Sequence, residues 1–232
     1  MEQPRNNDEA RREMFAAIRT QLAQSKPFDA AYEAHRAHRM PPEPIAHVSL
    51  DDPSLLVERF QRSLQAVGGH FLSVANESEA AEEIRRIVGN LSARRIAITN
   101  APLVAGVLKL LTLDAELIEG ATTAELFQCD LGITGAQWAI AETGTLVLES
   151  DQERHRLASL VPTVHVAIIE ASRVRQTLGE VLRDLDERRA DLSRAITFIT
   201  GPSRTSDIEL TLAIGVHGPA ELYVIVLDGG AA

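Results

Sequence analysis

Apolar residues recur at helical spacing over Asp8–Gln24, where Met14, Phe15, Ile18 and Leu22 fall on one face and Arg, Glu and Gln lie between them. A second, Ala-rich stretch over Pro27–His38 continues in the same style. Pro41, Pro42 and Pro44 then stop it, because proline lacks the amide donor and disfavours helix in the residue before it. The pattern predicts a helical arm over residues 1–46 and an α/β domain over residues 47–232. An arm this small cannot bury its stripe alone. Two readings stand side by side: the stripe packs on its own domain, or it docks on a partner or a second subunit to make a homo-oligomer.

Beyond the prolines the period alternates. Helices are predicted at Ser54–Val67, Ser78–Val88, Val104–Leu111 and Arg173–Glu187. Strands are predicted at His70–Val74, Arg95–Thr99, Glu116–Glu119, Thr145–Leu148, Val164–Ile169, Ala195–Thr200 and Leu222–Leu227. Strands alternating with helices predict a parallel-rich sheet with helices on both faces.

Composition narrows the function classes. The chain has 232 residues, 45% of them hydrophobic and 24% charged, which suits a globule with a real core. Its 33 acidic residues against 23 basic ones give a net charge of −10, which argues against nucleic acid as a partner. No apolar run approaches the roughly 20 residues that cross a bilayer. The charged start, MEQPRNNDEARREMF, does not read as a secretory signal, so a cytoplasmic location is expected. Cys129 is the single cysteine, which excludes an internal disulfide and a Cys-ligated zinc or iron–sulfur site built from this chain alone. His35 and His38, with Glu33 nearby, lack a third ligand at convincing spacing, so no metal site is expected.

Three loop-like segments hold most of the candidate chemistry. The first runs Gly132-Ile133-Thr134-Gly135-Ala136 into Ala139–Thr145, where two glycines three apart allow close approach of a ligand. Glu142 precedes Thr143-Gly144-Thr145, where its carboxylate either projects from a tight turn or is simply solvated in a hairpin. The second is Thr200–Glu209. There Ser206 and Glu209 fit a capping box at a helix start, and with Ser203, Arg204 and Thr205 beside it the segment is either an anion pocket for a phosphate or carboxylate or a capped helix start and nothing more. The third is Gly215-Val216-His217-Gly218-Pro219, whose histidine is either a proton donor near neutral pH or a turn residue capping a carbonyl.

Together these segments resemble the LUD domain of the lactate-utilization protein C family. The resemblance rests on Gly132-Ile133-Thr134 with Ala136, Ala139–Thr145, Leu160-Val161-Pro162 with His165, Gly201-Pro202-Ser203, Thr205, Asp207-Ile208-Glu209 and Gly215–Pro219. It implies a fold similar to the NagB/RpiA/CoA-transferase type. It also implies a part in oxidising L-lactate to pyruvate within a three-component system whose other members carry iron–sulfur clusters. This chain would then be a substrate-binding or assembly subunit with no cofactor of its own. The expected partners are cysteine-rich iron–sulfur proteins and a small carboxylate or phosphate ligand. The catalytic candidates are His217, the base on this reading, and Glu142, which belongs to the rival one. Gly132, Thr134, Gly135, Thr143, Gly144, Thr145, Gly201, Ser203, Arg204, Thr205, Asp207 and Glu209 are the ligand-binding ones. The implied fold also carries a rival expectation, an acyl-CoA transferase-like or phosphate-ligand enzyme using Glu142 as its nucleophile.

Overall fold

The computed structural model describes residues 7–24, 52–151, 156–188, 191–206, 212–214 and 218–228. Backbone contacts divide the chain into two compact units, Met1–Val48 and Ser49–Ala232. In the first unit, helix α1 (Asn7–Gln24) leaves Met14, Phe15 and Ile18 exposed. The stretch Pro27–His38, its two histidines and the prolines that follow lie outside the described residues.

The second unit opens with helix α2 (Pro53–Ala66), which starts because Asp52 accepts the Ser54 amide and Pro53 fits the first turn. Strand β1 (His70–Val74) leads to helix α3 (Glu77–Leu91), capped by Asn76 on the Glu79 amide. Strand β2 (Arg95–Ile98), helix α4 (Pro102–Lys109), strand β3 (Glu116–Glu119) and the short helix α5 (Thr123–Leu126) follow. Next come strands β4 (Leu131–Gly135), β5 (Trp138–Ile140), β6 (Thr145–Glu149), β7 (Val164–Glu170) and β8 (Val174–Arg175). Helix α6 (Leu178–Glu187) and strands β9 (Ile196–Thr200), β10 (Arg204–Ser206), β11 (Leu212–Ile214) and β12 (Glu221–Leu227) complete the described elements.

Six strands form one all-parallel sheet in the order β1-β12-β7-β4-β2-β3. Its central strands alternate between two cores. Val166 and Ile168 of β7 and Ile225 of β12 pack with Ile84, Ile87, Val104 and Val107 of α3 and α4. Ala167 and Ile169, with Val224 and Val226, pack on the other face against Phe60 and Leu64 of α2. A second sheet, ordered β8-β5-β6-β9, shares that face through Ala139, Leu146 and Leu148. Its own far side carries α6, where Val181 and Leu185 meet Trp138, Ile140 and Val147.

The parallel-rich α/β sheet follows the expectation, and the structure changes three local readings. Gly132–Gly135, expected as loop, is the fully buried centre of β4. A Cβ on Gly132 would stand 1.8 Å from the Ala158 carbonyl oxygen, so the glycine exists for backbone packing inside a strand. The helix expected from Arg173 begins only at Leu178; Val174-Arg175 is a short strand, and Thr177 accepts the Glu180 amide as the cap. Arg204–Ser206 pairs antiparallel with Leu212–Ile214, so Ser206 is a strand residue opposite Leu212 rather than a helix cap.

Candidate functional site

The parallel sheet has two ends, and the chemistry-bearing residues divide between them. The amino-terminal end gathers much of what is described of the segments singled out in the sequence. Glu142 sits in the β5–β6 turn, half-buried, where its Oε1 accepts the Leu178 amide at the start of α6 (3.2 Å). Its own amide donates to the Gln176 carbonyl, and the Ser63 hydroxyl of α2 donates to its carbonyl (3.4 Å). Gly144 has φ +68°, and a Cβ there would lie 2.4 Å from the Leu64 amide nitrogen, so the turn is pressed onto α2. A hydroxyl chain runs from Thr143 to Thr145 (2.7 Å) and on to Thr200 (2.8 Å).

Thr200 leads to Gly201, which rests against Val67 at the end of α2. Arg204 Nη2 donates to the Val67 carbonyl (2.7 Å). Ser203 donates its amide to the Pro219 carbonyl (2.8 Å), and its side chain lies 3.1 Å from where a Cβ of Gly218 would be. The structure therefore brings the second and third segments together. Asp207, Glu209 and His217 lie outside the described residues, as does the side chain of Thr205.

His165 is a residue whose part in this end the sequence reading missed, although it stands among the residues that carry the resemblance. It is fully buried on β7, directly between Gly132 of β4 and Leu222 of β12. The Thr134 hydroxyl donates to the Gly135 carbonyl (2.9 Å), so the ring Nε2–H must donate to Thr134 (2.8 Å). That tautomer leaves Nδ1 a bare acceptor, and among the described residues no donor reaches it. Burial pushes the imidazole pKa down to about 3, so the ring is neutral under ordinary conditions. Cys129 is buried as well, and desolvation pushes its thiol up, away from a reactive thiolate.

The carboxyl-terminal end holds an open cleft of about 520 Å³. Ala101–Leu103 after β2 and Gly135–Trp138 after β4 form its walls, with Glu77, Glu149, Glu170, Arg173 and Arg188 around them. Glu149 is buried; its carboxylate accepts from Arg188 (2.6 Å) and from the Ser193 hydroxyl (3.1 Å). Arg188 in turn lies over the Trp138 ring, 5.0 Å from its centroid. Gly135 alone among the expected ligand-binding residues reaches this cleft. Its other residues carry no local motif, because they come from positions 77 to 188 and meet only in the fold. Among the described residues, no cluster of three His, Cys, Asp or Glu side chains is placed to hold a metal, and no helix is long and apolar enough to cross a membrane.

This architecture, a six-stranded parallel sheet backed by a smaller sheet with the Glu142 turn packed on α2, defines a class with known members. The family model of the LUD domain matches residues 57–227, and the chain belongs to that family. The protein named lactate utilization protein C from Deinococcus radiodurans is 31% identical over 225 residues, covering 94% of this chain and 96% of that protein. The like-named protein of Halalkalibacterium halodurans is 42% identical over 104 residues. That second match spans 44% of this chain and just under half, 45%, of the relative's length. Among solved structures, a DUF162 family protein from Deinococcus radiodurans aligns with a TM-score of 0.59 at 27% identity, over 76% of this chain and 99% of that one.

Proposed function

We propose that this chain is a cluster-free component of a system for L-lactate utilization, a cytoplasmic substrate-binding or assembly subunit working beside cysteine-rich iron–sulfur proteins. The observation that carries the reading is the nearly end-to-end relationship to a protein named for lactate utilization. Oxidation of L-lactate to pyruvate removes two electrons and two protons, so it needs a base, a carboxylate clamp and an electron acceptor. His217 is the proposed base, and Ser203, Arg204 and Thr205 the clamp. The contact between Ser203 and Gly218 supports this assignment, because Gly218 directly follows His217 and Ser203 directly precedes Arg204 in the chain. The guanidinium has five N–H donors, so its bond to Val67 leaves others for a carboxylate. The electrons then pass to clusters on the partners, since one cysteine cannot ligate a cluster alone.

The test is L-lactate-dependent dye reduction by the complex purified gently from its native host, before and after co-eluting proteins are stripped. Activity that requires an iron-bearing, cysteine-rich companion is the expected result. Arg204→Ala should lower turnover without dissociating the complex, and unchanged turnover removes the clamp. A second reading, acyl transfer through Glu142, is favoured by the placement of that carboxylate in a tight turn with one oxygen held by the Leu178 amide. Absence of lactate activity and of any companion, together with covalent labelling of Glu142 by an acyl-CoA, would replace the first reading by the second.

A further inference from the structure

The carboxyl-terminal cleft stands at a switch in chain direction. After β2 the chain turns into α4, whose Val104 and Val107 pack on one face of the sheet. After the neighbouring β4 it turns into β5, which lies on the opposite face. Successive connections leaving to opposite faces open a crevice beyond the strand ends, which is where open parallel sheets receive ligands. A volume of about 520 Å³ suits a small metabolite.

The walls are prepared rather than incidental. Glu149, only 1% exposed, pairs with Arg188, which lies over Trp138, and the Gln137 side chain accepts the Glu149 amide (2.6 Å). Arg173 is held only loosely by Glu170 (3.8 Å), with both side chains more than half exposed, so its guanidinium is available. At the first turn of α4, Ala101 offers no capping side chain and Pro102 has no N–H, so the amides of Leu103 and Val104 lack a side-chain cap, and Leu103 lines the cleft. Three carboxylates against two guanidiniums do not suit a bare dianion. They suit a molecule that brings both an oxyanion and hydroxyl donors.

We infer that this cleft is a binding site for a small hydroxylated organic anion, its carboxylate or phosphate on Arg173 and the first turn of α4, its hydroxyls on the carboxylates of Glu77 and Glu170. The inference does not depend on the lactate reading, whose proposed groups lie at the other end of the sheet. Trp138 is the chain's one tryptophan, so its fluorescence reports this cleft directly.

The experiment titrates the full chain with L-lactate, 3-phosphoglycerate, inorganic phosphate and glycerol, following Trp138 emission and, in parallel, calorimetric heat. A saturable response to L-lactate or 3-phosphoglycerate is expected; because 3-phosphoglycerate carries both heads, a response to L-lactate shows that a carboxylate suffices, and a response to 3-phosphoglycerate alone shows that the phosphate is needed. Arg173→Ala should weaken it at least tenfold, while Arg62→Ala on α2 should leave it unchanged. Saturation by neither hydroxylated anion in either measurement, or binding indifferent to Arg173→Ala, overturns the proposal. Inorganic phosphate binding as tightly as 3-phosphoglycerate also overturns it, by reducing the cleft to a simple anion site.

Discussion

The two ends of the parallel sheet were built by opposite means. At the amino-terminal end small residues let backbones touch: Gly132 under Ala158, Gly144 under Leu64, Gly201 under Val67. At the carboxyl-terminal end long charged side chains, Glu149 and Arg188 paired among them, stand around an open cleft. The first kind of construction leaves a mark in the sequence, because glycine, serine and threonine must stand at fixed neighbouring positions. The second leaves almost none. A motif-rich end is therefore not the same thing as the end with room for a ligand.

Substitutions can break this comparison, and the largest effects belong to the packed end. Gly132→Ala and Gly144→Ala each drive a Cβ into backbone, the latter also at positive φ, and each should cost more than about 3 kcal/mol in chemical denaturation. A loss under about 1 kcal/mol would mean that this end is looser than described.

Next in size is an acid effect from His165. Its folded-state pKa of about 3 lies below the unfolded value of about 6.5, so between those limits the unfolded chain binds a proton that the folded one refuses. Stability from this group is complete above pH 6.5 and is lost as pH falls toward 3, by at most about 5 kcal/mol. Denaturation midpoints at pH 7 and pH 4 should show the drop, and His165→Asn should flatten it.

At the open end, Arg188→Ala strands the buried Glu149 with Ser193 as its remaining side-chain partner, which should cost about 2 kcal/mol and shift Trp138 emission. The smallest effect belongs to Arg62→Ala, whose exposed pair with Glu58 spans 3.6 Å and should contribute under about 0.5 kcal/mol. A loss for Arg62→Ala as large as that for Arg188→Ala would erase the contrast between surface and cleft.

Most strands and helices were legible because one period dominates each. β1, β3 and β7 alternate or run apolar between clear breaks, and α2 and α3 carry a single apolar stripe. β4 was not legible, since Gly132, Thr134 and Gly135 read as a loop, while in the fold Gly132 makes room for the Ala158 backbone inside a strand. The start of α6 was misread because Val174 falls in phase with Val181 and Leu185 although it belongs to a strand. At the candidate site, the meeting of Ser203 with Gly218 follows from two segments that sequence had already marked. The cleft does not, because Glu77, Gln137, Glu149 and Arg188 share no neighbourhood along the chain.

The position of β12 bears on how the molecule comes into being. Among the described strands, β1 is the first in chain order and has a single neighbour in the sheet, and that neighbour is the last of them, β12. β12 also bridges to β7, so two of the sheet's seams wait for residues 221–227. Pairing across some 150 residues is slow, because loop closure must precede any gain. Until those residues leave the ribosome, β1 lacks its one partner among the described strands and the inner edge of β7 is open, so two apolar strand edges stay unpaired through most of synthesis.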